Sequence, residues 1–423
     1  MNASSSTVER IAAAARLGRQ SFYSTPMVSP AGHARSYEET EEWLRTVLTR
    51  VPITRIFDAT PLDVLGLPVW CAVTPLAADL TVHAGKGATP RAARLSAVME
   101  SIERLCGESV ADERVLRASH RQLSAESPAI DPELFDLPFD TRYRPDLEMD
   151  WVPGYDLLTE RYFHVARDLV VSPAVEGICG PVETNGLAAG NSITESTLHA
   201  IYEVVERHVV SEARFHDLYH DQEDAQRRPL RMIDVSTLPV DSTEWVRRIR
   251  DEGMDLVVRD LTNDLGIPVF VAYITNDSFP GAEGETIAFG GYGADLDPAR
   301  AVFRAITEAV QAHTGTVLGA RDTFEGGAVT NERTAMLRRH LSTLHPDAVQ
   351  PFPPSPSSSY DLYEDMKEVL ARLRRGGIEH CVVVDLTRED FGVPAVRVLI
   401  PGLAAPFGES SRRPGRRLLQ SLV

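Results

Sequence analysis

A mixed α/β (α+β) fold with internal repeats is predicted by three features of this chain. One helix pattern is written three times, one strand-turn-strand pattern is written three times, and the composition supports a large core. The first helix copy is AARLSAVMESIERLCGE at 92–108. Leu95, Val98, Met99, Ile102 and Leu105 share one side, and Ser96, Glu100, Glu103 and Arg104 the other. STLHAIYEVVERHV repeats it with His199, Glu203, Glu206 and Arg207. AVFRAITEAVQAH repeats it again with Arg304, Glu308 and Gln311. The common frame is X-Ala-x-x-Glu-x-x-(Glu or Gln), and each copy follows a glycine-rich approach: HAGKGATP, NGLAAGNS and GGYGADLD.

A polar face bearing glutamates is ordinarily just the solvated side of an amphipathic helix. Here repetition argues for more. Carboxylates at i and i+3 lie side by side and repel unless something positive is near. Arg104 and Arg207 relieve part of that repulsion. Divalent cations would relieve it more fully, because Mg²⁺ takes oxygen ligands and commonly brings nucleotide phosphates with it. The arginines would then be free to meet phosphate oxygens as bidentate forks.

The strand units are TRIFDATPLDVLGLPVWCAVTP (54–75), LVVRDLTNDLGIPVFVAYI (256–274) and CVVVDLTREDFGVPAVRVLI (381–400). Each reads as an apolar strand, Asp-x-Thr, a short turn, Gly-(Leu/Ile/Val)-Pro-(Val/Ala) and a second strand, hence a hairpin. In chain order, residues 1–20 read as a helix or frayed lead, and 36–50 as an amphipathic helix capped by Ser36. Residues 109–180 mix short elements, with a strand over 164–171. Helices are expected over 244–252, 333–343 and 361–375. PFPPSPSSS (351–359) reads as a loop, and the basic tail SRRPGRRLLQSLV as a mobile end. The expected architecture is a lead at 1–50 contributing to the site, and a catalytic domain at 51–423 in which the three carboxylate helices converge on one cleft.

Composition excludes several classes. With 43% hydrophobic and 25% charged residues the chain is ordinary globular protein. A net charge of −18 argues against nucleic acid or an anionic membrane as partner. There is no apolar leader and no apolar run long enough to span a bilayer, so a cytoplasmic protein is expected. Cys71, Cys106, Cys179 and Cys381 lack metal-ligand spacing and read as buried free thiols. Lys86 and Lys367 are the only lysines. Neither a Walker-type loop nor a dinucleotide fingerprint is present, and GGYG alone is more often a tight turn than a phosphate loop. Any chemistry must therefore rest on the carboxylate helices.

GKGATPRAARLSAVMESIER, NGLAAGNSITESTLHAIYEVVER and GGYGADLDPARAVFRAITEAVQ resemble the three signature segments of the YcaO family, and the similarity runs from about Arg35 to the PGL at 401–403. HARSYEET followed by ITRIFDAT further resembles the branch that works alongside TfuA proteins. The resemblance implies an enzyme that uses ATP and Mg²⁺ to activate a peptide backbone amide in the maturation of a ribosomally made peptide. The amide oxygen attacks the γ-phosphate once a nucleophile has added, and phosphate departs to leave an azoline, a thioamide or an amidine. Carried over by motif, Glu100, Glu103, Glu195, Glu203, Glu206 and Glu308 would hold the metal. Ser96, Asn191, Arg207, Arg304 and Gln311 would contact nucleotide, and Arg35 and Thr40 would belong to an N-terminal phosphate-contacting element. Lys86 stays open between a turn-stabilising, a solvated and a phosphate-binding lysine, and His199 reads as a packed or hydrogen-bonded residue rather than a base.

One departure bears on the product. Azoline-forming members often end in a Pro-x-Pro-x-Pro tail, whereas this chain ends in LLQSLV. That shifts the expectation towards a thioamide or a macrocyclic amidine, with azoline formation as the alternative and a non-catalytic ATP-binding scaffold as a further one. A precursor peptide is the expected substrate, captured with a TfuA-like or leader-binding partner, and the family implies a homodimer.

Overall fold

Each Asp-x-Thr segment folds as a hairpin held by its own side chains. In the first, β1 (Arg55–Asp58) pairs antiparallel with β2 (Val69–Val73). The Asp58 carboxylate accepts the Thr60 amide at 2.9 Å, and the Thr60 hydroxyl accepts the Val69 amide at 3.1 Å. Asp260 and Thr262 close the turn between β9 (Asp255–Asp260) and β10 (Val269–Asn276) in the same way. Asp385 and Thr387 do so between β13 (Val382–Asp385) and β14 (Ala395–Leu399). The glycine of each turn, Gly66, Gly266 or Gly392, has φ of 59°, 68° or 68°, which explains why no side-chain residue stands there.

The computed structural model describes residues 17–18, 21–22, 32–180, 183–219, 231–276, 287–319, 349–355, 361–404 and 412–420. Among these, three sheets and eight helices are formed. Each hairpin gains a third antiparallel strand that leads into a helix. β3 (Val82–Lys86) joins β2 and runs into α2 (Pro90–Gly107). β11 (Ile287–Ala294) joins β10 and runs into α6 (Pro298–Leu318). β7 (Leu187–Ala189) joins β14 and runs into α4 (Ile193–Tyr219). In this last unit the strand-helix half precedes the hairpin half in the chain, so the unit is permuted.

The units pack cyclically. α2 covers β2 and β3 and reaches β7; α4 covers β14 and β7 and reaches β11; α6 covers β10 and β11 and reaches β3. Such packing needs close approach. A Cβ on Gly85 would lie 2.0 Å from the Ala97 nitrogen of α2, and one on Gly291 would lie 2.2 Å from the Ala309 nitrogen of α6. GGYG is therefore strand packed flush on a helix, not the tight turn its composition suggests.

The remaining elements extend these sheets or cover them. α1 (Tyr37–Val47) begins with the Ser36–Glu39 capping box and buries Leu44 and Val47 against α2. β4 (Leu116–Ser119), β5 (Glu148–Asp156) and β6 (Arg161–Ala166) widen the third sheet. The strand expected at 164–171 thus starts earlier and gives way to a 3-10 turn at Arg167–Leu169. β8 (Arg231–Ile233) and β12 (Val349–Gln350) widen the second sheet. A short α3 (His120–Glu126) follows β4. α5 (Val240–Asp251) starts four residues before the apolar pattern suggested, and α7 (Leu362–Arg375) lies where expected. α8 (Arg416–Gln420) ties part of the basic tail down, with Leu418 buried and Arg417 bonded to Gly376 and Asp264. The helix expected at 333–343 and most of the 1–20 lead lie outside the described residues. All four cysteines are buried thiols, and no helix among the described residues is long and apolar enough to cross a membrane.

Candidate active site

The inner faces of α2, α4 and α6 line one cleft of about 1900 Å³. From α2 come Ser96, Glu100, Glu103 and Arg104. From α4 come Glu195, His199, Glu203, Glu206 and Arg207, and from α6 Arg304, Glu308 and Gln311. Thr40 and Asn191 line it too. Of the residues singled out in the sequence, Arg35 alone is absent from the wall: its guanidinium lies over the Trp43 ring, 4.2 Å from the centroid.

The carboxylates fall into distinct electrostatic settings. Burial, then the charges of Glu100 and Glu203, push the Glu103 carboxyl well above its ordinary range, opposed by Arg104 and by the Ala189 amide, from which it accepts at 3.2 Å. Burial raises Glu203 as well, opposed by Arg207 3.6 Å away. Burial and neighbouring Glu308 push Glu206 up to about 8. Glu308 goes the other way: burial opposes its ionisation, but the Lys86 ammonium, 2.6 Å from Oε2, outweighs it and holds the group low. Glu195 is also held low despite burial. It accepts from the Ala34 amide at 2.7 Å and from Asn191 at 3.2 Å, and pairs with His33 at 3.0 Å.

The cations are interleaved with these groups. Arg104 bonds Glu100 at 3.1 Å and Asp79 at 3.4 Å. Arg304 donates to the His199 ring, which is exposed on the cleft wall and accepts as a neutral imidazole. Gln311 reaches across to the Ala84 carbonyl at 2.6 Å, and Thr40 donates to Asn191 at 2.9 Å. Two participants carry no signal in the helix repeat. Lys86 stood out as one of two lysines, inside GKG, with a phosphate-binding role left open, and Arg397, on β14, did not stand out at all. Arg397 is 2% exposed and brought down to about 10 by burial, with Glu203 opposing.

A cation and a polyphosphate fit this donor set. Desolvation first, and the neighbouring carboxylates after it, raise Glu103, Glu203 and Glu206 despite the arginines nearby, so a cation entering here would be welcomed by all three. Among the described residues no three acidic, thiol or imidazole groups form a ready-made metal cage. Mg²⁺ does not need one: it typically binds through one or two carboxylates and completes its octahedron with waters and substrate phosphates. The guanidinium groups of Arg104, Arg207 and Arg304 on the same wall have the chemistry that suits phosphate oxygens.

Comparison with known proteins bears on the same region. A family model described as YcaO cyclodehydratase, ATP- and Mg²⁺-binding, matches residues 84–404. A Methanothermobacter thermautotrophicus protein is 33% identical over 386 residues, covering 89% of this chain and 95% of its own length. A Rhizobium leguminosarum bv. trifolii protein described as lying in the tfuA 3′ region is 30% identical over 401 residues, 90% of each chain. Among solved structures, YcaO from Methanopyrus kandleri bound with AMPPCP and Mg²⁺ superposes with a TM-score of 0.70 at 26% identity, over 92% of this chain and 100% of that one. A heterocyclase in complex with substrate and cofactor gives a TM-score of 0.72 at 23% identity, which speaks to fold alone. The match covers 91% of this chain but 55% of that longer one.

Proposed function

This chain belongs to the YcaO family, and from that premise we propose that it uses ATP and Mg²⁺ to activate a backbone amide of a ribosomally made precursor peptide, giving a thioamide or an amidine. The observation that carries the reading is the meeting of under-neutralised glutamates and arginines from three helices in one cleft. Bound Mg²⁺-ATP would supply the phosphoryl group that turns an amide oxygen into a leaving group. The chain's own residues do the rest. Glu103, Glu203, Glu206, Glu100 and Glu308 offer oxygens to the cation, and Arg104, Arg207 and Arg304 orient the phosphates. Ser96, Gln311, Thr40 and Asn191 set the walls.

Glu195, its oxygens already taken by the N-terminal segment, serves in this reading to dock residues 32–50 against the site rather than as a first metal ligand. That is also the support for treating 1–50 as a lead that completes the site and 51–423 as the catalytic unit. Arg35, set back over Trp43, would contact phosphate only after leaving that ring. The family's habit supports a homodimer, and the relative beside tfuA supports a TfuA-like partner. That relative also favours the thioamide or amidine product. The cyclodehydratase description of the family favours the second reading, an azoline from Cys, Ser or Thr.

One incubation separates them. The precursor peptide encoded beside this gene is treated with enzyme, ATP and Mg²⁺, with and without sulfide, and weighed by mass spectrometry. Sulfide-dependent exchange of oxygen for sulfur identifies a thioamide, and water loss with macrocycle closure an amidine. Water loss confined to a Cys, Ser or Thr with neither would establish the azoline. Failure of labelled amide oxygen to appear in phosphate would reject the activation route altogether.

A further inference from the structure

Lys86 sits at a position where the fold does not ask for a lysine. In each unit the residue after the turn proline faces one residue of the third strand: Val69 faces Lys86, Val269 faces Ala294, and Ala395 faces Ala189. Two of the three equivalent positions are alanine, so strand pairing and helix packing are satisfied without a long side chain. The chain is moreover sparing with lysine, having two among its 43 basic residues. Alternation along β3 turns Gly85 onto the α2 backbone and Lys86 the other way, into the cleft wall. Its Nζ is 2.6 Å from Glu308 Oε2, and its charge is felt at His199. The loop it begins, Gly87 and Ala88, also lines the cleft and runs to the α2 N-terminus capped by Thr89.

We propose that Lys86 is a polyphosphate-binding residue whose ammonium rests on Glu308 and passes to nucleotide phosphate oxygens when a divalent cation takes that carboxylate. The proposal rests on the nucleotide reading of the cleft. Two cations cannot share one carboxylate oxygen cheaply, so metal arrival expels the ammonium. The four-carbon stem and three rotatable donors of lysine let it move to a phosphate close by, which the rigid arginine fork does less readily.

The test is equilibrium binding by calorimetry for wild type, Lys86→Met and Lys86→Arg, with Mg²⁺ plus AMPPCP and with Mg²⁺ alone. Thermal melting checks the fold, and Lys86→Gln stands in if the methionine variant does not fold. Loss of a charge-assisted hydrogen bond implies that Lys86→Met binds Mg²⁺-AMPPCP about 10-fold or more weakly. Lys86→Arg should fall between, and Mg²⁺ alone should bind Lys86→Met as well as or better than wild type, its competitor being gone. Wild-type-like AMPPCP binding by Lys86→Met would overturn the proposal. So would an equal weakening of Mg²⁺ alone, which would mark Lys86 as a mere prop for Glu308. If wild type itself bound no Mg²⁺-AMPPCP, the nucleotide reading would fall instead.

Discussion

Glu195 and Glu206 stand on the same helix, about three turns apart, in opposite circumstances. Glu195 accepts from an amide, a side-chain amide and pairs with an imidazole, and its carboxyl is held low. Glu206 is pushed up to about 8 by desolvation and by the charges of Glu308 and Glu203, which Arg207 and Arg304 offset only in part. Sequence reasoning gave both one role. The difference teaches that a glutamate served by protein donors is held ionised and fastens structure to structure, whereas one desolvated beside other carboxylates is the kind of group that an incoming cation would stabilise.

The strongest way to break this comparison is to neutralise each carboxylate in turn. Glu206→Gln and Glu203→Gln should each lower Mg²⁺-dependent ATP turnover by ~100-fold or more, at or beyond what loss of a metal-supporting residue typically costs. Both should fold normally, because a crowded carboxylate is removed. Turnover and Mg²⁺ dependence equal to wild type would remove these residues from the metal site.

Glu195→Gln should behave otherwise. It leaves the Ala34 amide with a poorer acceptor and frees the segment at 32–36, so we expect about 1–3 kcal/mol of lost stability and earlier proteolytic cleavage in that segment. The activity loss should be about 10-fold, within the range for supporting residues. Unchanged stability combined with lost Mg²⁺ affinity would return Glu195 to the metal shell.

pH sharpens the contrast without mutation. Glu206 has a folded pKa raised from 4.5 to about 8, so its contribution to stability is fully present below about 4.5 and is lost as pH rises through about 8. Glu195 is lowered from 4.5, so its contribution is present above that value and is lost only on further acidification. Denaturant titrations of the chelator-treated protein should therefore show stability falling across the interval from 4.5 to about 8, with a shallower slope in Glu206→Gln. An identical slope in the variant would assign the titration to other groups, Glu103 first. The smallest effect belongs to Glu42, which is exposed and outside the cleft. Glu42→Gln should shift stability by less than about 0.5 kcal/mol and leave turnover alone; a larger change would mean that charge deletion anywhere perturbs this acidic chain.

What residues alone determined here is local. The Ser36 cap, the carboxylate faces of three helices and the three Asp-x-Thr hairpins were readable because each rests on hydrogen bonds or periodicities spanning a few residues. Their shared frame also carried the family resemblance. Tertiary structure decided the partnerships. That β7 and α4 complete the hairpin of β13 and β14, which follows them in the chain, leaves no mark on either segment. Lys86 meets Glu308 across 222 residues, and the Ala34 amide meets Glu195 across 161. Whether a glutamate is satisfied or stranded depends on donors that only chain closure delivers, so the same letter on the same helix is bonded to the N-terminal segment at Glu195 and stands desolvated beside other carboxylates at Glu206.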